Sequence, residues 1–363
     1  MTGSVLILGG YGNFGKRIAR ALTASNTPVV LAGRDEGRAK AEAAALPHGL
    51  ATPVAFDVRH DLRRHLDQVQ PSVVVNTCGP FQNSDYGVAQ ACIEAGTHYI
   101  DLADGRDFVT GISALDAQAR DRGVAVISGA STVPALSSAV IEYLRPQFSQ
   151  LHTLRFGISP GQKAERGLAT TQGILSYVGK SLRPFAGDDG PSYGWQNVHR
   201  QLFPVLGQRW MANCDIPDLD LLPRAYELRA IRFSAGLELA PLHLGLWALS
   251  WLVRIGLPLD LPRHAGWLLK ASNLFDPLGS ADGGMFVILG GLDLDGRPQE
   301  RRWFIVARRG EGPQIPTIPA IILARKAACG ELDFRGATPC IGLVTLSEYL
   351  AELRPYPIET FLE

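Results

Sequence analysis

The sequence predicts an α/β fold: a doubly wound parallel sheet at the amino terminus, followed by an inserted α+β second domain. Three observations carry this. Residues 1–131 alternate short β-branched runs with Ala-rich helical runs, the pattern of βαβ units on a parallel sheet. The first apolar run ends in a glycine-rich turn that opens a helix. After residue 131 the rhythm changes to longer strands on both sides of helices, and from residue 316 it is helical again. The expected domains are therefore 1–131, 132–315 and 316–363, the last as helices returning to the first.

Taken in order, the expected strands of the first domain are 5–8, 29–32, 53–57, 72–76, 98–101 and 123–128. The expected helices are 14–23, 36–45, 62–68, 86–95 and 112–122. Connections of this kind are right-handed. In the second domain, 151–159 reads as a strand stopped by Pro160-Gly161, 170–180 as a helix, and the Pro-, Gly- and Asp-rich 184–194 as a loop or hairpin tip. Residues 285–294 and 301–308, joined by Asp295-Gly296-Arg297-Pro298, read as an antiparallel hairpin. Helices are expected over 316–329 and 345–353, the second with capping-box spacing at Thr345 and Glu348.

Composition narrows the function classes. The 363 residues carry 35 Lys+Arg against 35 Asp+Glu, so no basic surplus draws nucleic acid or another polyanion. Charged residues make up 19% of the chain, below the usual ~25%, which points to surface covered by a subunit, a membrane or another partner. Five scattered cysteines without a CxxC suit a reducing, cytoplasmic setting, and no basic, apolar leader pattern opens the chain. Residues 239–253 are uncharged, between Glu238 and Arg254. This stretch of 15 residues is shorter than the ~18 of a transmembrane helix. Pro241 fits a first helical position, and Trp247, Trp251 and several leucines surround the helix on nearly every side. It is either a buried or dimer-interface helix, or a lipid-facing helix or the wall of an apolar pocket. A homodimer is expected, and peripheral membrane contact through 239–259 stays open.

The strongest local signal is Val5-Leu6-Ile7-Leu8 followed by Gly9-Gly10-Tyr11-Gly12-Asn13-Phe14-Gly15, with G-x-G-x-x-G at Gly10, Gly12 and Gly15. In this Rossmann-type signature Gly10 would permit the tight turn and Gly12 the close approach of a pyrophosphate to bare backbone. Gly15 would permit close helix–strand packing, with the phosphates on the helix N-terminus. An NAD site expects an acid at the end of the second strand, whereas this chain has Arg34 there and Arg38 a turn later. A guanidinium suits a 2′-phosphate, so NADP is favoured over NAD, with Asp35 as the competing acid. Asp57 closes the third strand, as an adenine contact or a helix cap. Cys78, Gly79 and Pro80 follow the fourth strand at the expected switch point and read as a wall of the cofactor site.

Hydride transfer also needs a proton donor or acceptor. No Tyr-x-x-x-Lys occurs, and the catalytic residue is not identifiable from sequence. The candidates are Asp104 and Arg106 in the loop after the fifth strand, Ser131 after the sixth, and Lys163 in the second domain, with Tyr99 and Asp101 sharing one strand face. The histidines and cysteines show no metal-ligand spacing. His60 and His65 read as solvated, and Cys78 as a packing residue.

Residues 9–15, Arg34, Cys78-Gly79-Pro80-Phe81 and the phrase A-C-x-x-x-G-x-x-Y-x-D-L over 91–102 are similar to the saccharopine dehydrogenase NADP-binding family. Within it, the chain resembles the bacterial saccharopine dehydrogenase-like oxidoreductases. Residues 215–218, 280–285 and 312–320 resemble the same subgroup. The resemblance implies a Rossmann domain, an inserted α+β domain for substrate and dimer contacts, and nicotinamide-dependent redox chemistry, often at a carbon–nitrogen bond. Several members carry a suspected lipid connection instead. Saccharopine reductase itself has G-x-D-P-G after the sixth strand; here Gly129-Ala130-Ser131-Thr132-Val133-Pro134 puts Val133 in the acidic position. Val133 cannot pair with an ammonium group, so saccharopine is a poor substrate. The sequence reading is thus an NADP-dependent oxidoreductase acting on an apolar small molecule. The alternatives are a non-catalytic NADP-binding regulatory or scaffold protein and a lipid reductase at a membrane surface.

Overall fold

A computed structural model of the chain describes residues 3–60 and 62–363; Met1, Thr2 and Asp61 lie outside it. In chain order the first elements are β1 (Val5–Leu8), α1 (Gly15–Ala24), β2 (Val29–Gly33), α2 (Glu36–Ala44), β3 (Ala51–Ala55), α3 (Leu62–Val69) and β4 (Val73–Asn76). They continue with α4 (Gly87–Ala95), β5 (His98–Asp101), α5 (Arg106–Gly111), α6 (Asp116–Asp121) and β6 (Ala125–Ser128). Next come α7 (Ser137–Leu144), β7 (Gln150–Ser159), α8 (Leu168–Tyr177), β8 (His199–Phe203), β9 (Gly207–Asn213), α9 (Asp218–Tyr226) and β10 (Ala230–Ala235). Then follow α10 (Ala240–Arg254), α11 (Ala265–Asn273), β11 (Gly283–Leu292) and β12 (Pro298–Ala307). The chain closes with α12 (Ile318–Cys329), β13 (Gly336–Pro339), α13 (Leu346–Leu353) and β14 (Ile358–Leu362).

The chain forms two compact units, Met1–Leu136 with Gln314–Glu352, and Ser137–Pro313 with Leu353–Glu363. Among the described residues the first unit has a parallel sheet in the order β13-β6-β5-β4-β1-β2-β3. Strands of this sheet such as Val5–Leu8 and Val73–Asn76 are buried throughout, so they are continuous apolar, β-branched runs rather than alternating ones. Progression runs outward in both directions from the β1–β4 pair, which makes that pair the switch point where α/β folds bind ligands.

The second unit's sheet, in the order β14-β12-β11-β7-β10-β9-β8, is mixed: β10 runs parallel to β7, while β11 is antiparallel to β7 and β12. One apolar cluster of this unit joins Phe203, Met211, Phe286, Ile288 and Phe304. Another joins Leu175, Val178, Trp195, Ala212, Leu261 and Ala265.

Several elements differ from the sequence expectation. The single helix expected over 112–122 is a 3-10 turn over Ile112–Leu115 followed by α6, and α5, which the sequence pattern does not predict, precedes them. Asp116 opens α6 and accepts hydrogen bonds from the Ala337 N–H (2.9 Å) and Arg120 Nε (2.8 Å), which fixes the break. The boundary at residue 131 moves to Leu136, because Thr132–Leu136 is wholly buried and stays with the first unit. The tail from Leu353 is not helical after α13: β14 adds to β12 and clusters with the second unit. The hairpin β8–β9 carries no strong apolar alternation and is not predicted by the sequence pattern; its turn includes Val205 at φ 64°. His65 is not solvated but buried and stacked on Phe56, ring centroids 4.1 Å apart. Helix α10 is apolar all round but half inside: His243 and Ser250 are buried and Leu246, Trp247 and Val253 pack on the core, while Pro241, Gly245, Ala248 and Leu252 are exposed.

Candidate functional site

The carboxyl ends of β1, β2, β3 and β4 carry every residue that the sequence assigned to the cofactor. β1 leads straight into the glycine turn, whose Gly9 and Gly10 N–H groups both donate to the Ala32 carbonyl of β2 at 3.0 Å. Thr77, just past β4, closes the other side, donating its Oγ1 to the Leu8 carbonyl at 2.8 Å. The sequence pattern assigns the tight turn to Gly10, but Gly9 has the left-handed φ of 76°, and a Cβ there would lie 2.6 Å from Thr77 Oγ1. At Gly15 a Cβ would sit 2.2 Å from the Gly9 carbonyl oxygen, so the helix can approach the turn only without a side chain. At Gly12 a Cβ would meet Gly9 O at 3.0 Å and nothing else within 4 Å.

Helix α1 begins after Phe14 without a side-chain cap and with no acidic residue in its first turn. Its N-terminal end is therefore free of competing negative charge, the condition for binding a phosphate. Arg17, which the sequence reading passed over, bends back to donate to the Asn13 carbonyl (2.5 Å) and to Asn13 Oδ1. A basic residue one turn into the helix after the last glycine is the signal that could have found it.

The end of β2 is organised by Tyr11. Its ring lies so close to Gly33 that a Cβ there would be 2.2 Å from it; its hydroxyl accepts the Asp35 N–H at 2.9 Å, and the Arg38 guanidinium sits 4.6 Å above the ring centroid. Asp35 Oδ1 accepts the Arg38 N–H at 3.0 Å and so caps α2. Arg34 is exposed. Asp57, at the end of β3, accepts the Arg59 N–H at 3.0 Å in a local turn rather than capping a helix. That bond first, and then the positive charges of His60, Arg34 and Arg59, hold its carboxyl below the usual carboxylate range. Arg34 and Asp57 thus share one field. Cys78, Gly79 and Pro80 are exposed beyond β4, with the Cys78 N–H on Asn76 Oδ1 (3.0 Å), the Gly79 N–H on the Thr77 carbonyl (3.2 Å), and a cis Gly79–Pro80 bond.

Farther along the same sheet edge, Asp101 is fully buried at the end of β5. Its Oδ1 accepts from the Ala103 N–H (2.9 Å), Ser128 Oγ (2.9 Å) and the Gly129 N–H (2.8 Å). Asn76 Nδ2 donates to the Tyr99 hydroxyl at 3.1 Å on the same face. Burial pushes the Asp101 carboxyl up to about 6, against these hydrogen bonds, which pull the other way. Asp101 therefore ties the loops after β5 and β6 together. Of the catalytic candidates, Asp104 accepts from Gln82 Nε2 at 3.1 Å, with its carboxyl raised by burial. Arg106 is buried at the start of α5 rather than on the surface. Ser131 is buried, its N–H on the Gly129 carbonyl at 2.7 Å. Lys163 is exposed in the second unit, its N–H on the Ser280 carbonyl at 2.8 Å. Asp104, Arg106 and Ser131 thus belong to the unit that carries the glycine turn, and Lys163 does not.

A parallel sheet in this order, with a glycine turn into an uncapped helix at its switch point, defines the first unit as a Rossmann-type dinucleotide-binding fold; the second unit is a mixed α+β fold. Residues 5–127 match the family model of the saccharopine dehydrogenase NADP binding domain. Over the whole length, the fold is similar to that of saccharopine dehydrogenase (L-Glu forming) from Saccharomyces cerevisiae. That match has a TM-score of 0.67 at 13% identity and covers 99% of this chain and 100% of the other. An amine dehydrogenase from Mycobacterium smegmatis matches with a TM-score of 0.50 at 10% identity, covering 93% and 95%. No curated protein sequence matches the chain.

Proposed function

We propose that this protein is an NADP-dependent oxidoreductase that moves a hydride between the nicotinamide and an apolar small molecule. The observation that carries the choice of coenzyme is the end of β2. Asp35, the one acid placed to take a ribose 2′-hydroxyl, already caps α2, while Arg34 next to it stands exposed and free to meet a 2′-phosphate. The glycine turn offers bare backbone for the pyrophosphate, and Arg17 adds positive charge beside it. When bound, the nicotinamide supplies or accepts the hydride. The residues of this chain would position it. Thr77 fastens the turn to β4, and Asp101 holds the loops carrying Asp104 and Ser131 in fixed register. The dehydrogenase names of both similar structures support redox chemistry. Val133, at the position where the resemblance to saccharopine reductase implies an acid, supports a substrate without an ammonium group.

The test is calorimetric titration of the purified chain with NADPH and NADH. Arg34→Ala should weaken NADPH binding by about 10- to 100-fold, the value of a lost charge-assisted contact, and change NADH binding by less than about twofold. Equal losses for both coenzymes would remove the 2′-phosphate assignment. Heat with neither coenzyme would remove the whole reading.

A further inference from the structure

We propose that the second unit docks on an anionic lipid bilayer through one continuous face, made by the outer side of α10, the 255–264 loop, α11 and residues 274–278. Nine of the fifteen large apolar side chains exposed among the described residues fall between Trp251 and Leu278: Trp251, Leu252, Ile255, Leu257, Leu259, Trp267, Leu274, Phe275 and Leu278. Such clustering within one segment marks an interaction surface rather than scattered exposure. Along α10 the outward positions Pro241, Gly245, Ala248, Leu252 and Ile255 recur at helical spacing without a single polar side chain. The loop that follows is anchored by buried Leu261 and Ala265, which leaves Ile255, Leu257 and Leu259 projecting. Ile255, Trp267, Leu274 and Leu278 are each at least 69% exposed, too much apolar surface for a face meant for water.

The charges choose the occupant. Arg254, Arg263 and Lys270 are exposed at the margin of this face. Arg254 lies over the rings of Tyr193 (3.9 Å) and Trp251 (4.8 Å). Of the two acids in the segment, Asp276 is neutralised by Arg166 at 3.1 Å, and Asp260 accepts the Arg263 N–H at 3.3 Å. A twofold contact of the face with its own copy would set like-charged rims against each other, whereas anionic headgroups would answer them. Tryptophans on the two helices flanking an apolar loop tip, with cations at its edge, are the arrangement of a protein lying in the bilayer interface. At 15 residues α10 is about 22 Å long, short of the roughly 30 Å hydrocarbon core, and no helix among the described residues is long and apolar enough to cross a membrane. The sequence points to 239–259 with Trp247 and Trp251; in the structure Trp251 is exposed while Trp247 packs on the core, so the proposed face runs over 251–278 instead.

The experiment is flotation of the full chain with vesicles of phosphatidylcholine and phosphatidylglycerol at low salt. The wild type should float. Leu257→Ser and Trp267→Ser should each lower the bound fraction by about tenfold, and Arg263→Glu with Lys270→Glu by a similar factor, as added salt also would. Circular dichroism and an unchanged melting temperature would show that the variants are folded. A wild-type chain that stays at the bottom of the gradient overturns the proposal. So does vesicle binding indifferent to these substitutions, or a dimer in light scattering that Trp267→Ser splits without any vesicle binding. None of these readouts depends on nicotinamide binding, so the coenzyme reading and the lipid reading fail separately.

Discussion

The switch point of the first unit and the interior of the second handle polar groups in opposite ways. At the switch point of the first, the polar demand is met by backbone: the Gly9, Gly10 and Thr77 N–H groups bond to strand-end carbonyls, and the helix end is left open. Its main charged residues, Arg34 and Asp57, stay at the surface or half-exposed. The second unit draws ionisable side chains inside. Asp218, at the start of α9, is fully buried and bonded to the Ser137 hydroxyl of α7, 81 residues away. Arg209 is buried beside Glu238, which also accepts from Gln162 and Ser280. His243 is buried in α10, and burial depresses its imidazole to about 4. The lesson is that an open backbone cradle leaves room for a ligand's charges, whereas buried side-chain networks set pH-dependent stability.

The largest effect should come from closing the cradle. Gly15→Val places a side chain on the Gly9 carbonyl, 2.2 Å from the first added carbon. It should cost about 3 kcal/mol of NADPH binding, about a hundredfold, by titration. If affinity survives, the turn is not the pyrophosphate site and the contrast between the units loses its first half.

The next effect tests the buried acid. Burial raises the Asp218 carboxyl from 3.8 to about 7, against the Ser137 hydroxyl bond. The folded state therefore holds this proton more tightly than the unfolded one, and stability falls as pH rises from about 4 to about 7. Asp218→Asn removes that loss. It should stabilise the protein above pH 7, by about 4 kcal/mol at most, and have little effect near pH 4, as read from urea melts. Asp101, raised to about 6, adds a smaller loss of the same sign in the first unit. A pH-independent difference for Asp218→Asn would mean that the carboxyl is not titrating in this range.

The smallest effect is a local one, as a control. Thr345 and Glu348 form the capping box read from the sequence: the Glu348 N–H donates to Thr345 Oγ1 at 3.2 Å and the Thr345 N–H to Glu348 Oε2 at 2.8 Å. Thr345→Ala should cost about 1 kcal/mol at any pH above the carboxylate range, measured by thermal melting, and leave coenzyme binding untouched.

What could be read in advance follows the range of the interactions. β1, the glycine turn, the exposed arginine at the end of β2 and the Thr345 cap depend on residues a few positions apart, and their pattern is complete in the sequence. The role of Asp35 was half legible: its cap on α2 is local, but the Tyr11 hydroxyl that fixes its N–H comes from 24 residues away. Gly9 was passed over for Gly10, because the backbone angle that singles it out depends on how β4 and Thr77 close on the turn. The hairpin β8–β9 and the edge strand β14 had no strong alternation of their own and exist because neighbouring strands pair with them.

The sequence by itself determined the parallel sheet, the cradle at its switch point and the basic residue beside it, because helix and strand periodicity and glycine backbone chemistry act over a few residues. Only the tertiary structure decided that Asp101, Asp218 and His65 are buried, and that one side of α10 is sealed while the other is bare. Burial is fixed by which distant elements pack against a residue, and that no short stretch of chain contains.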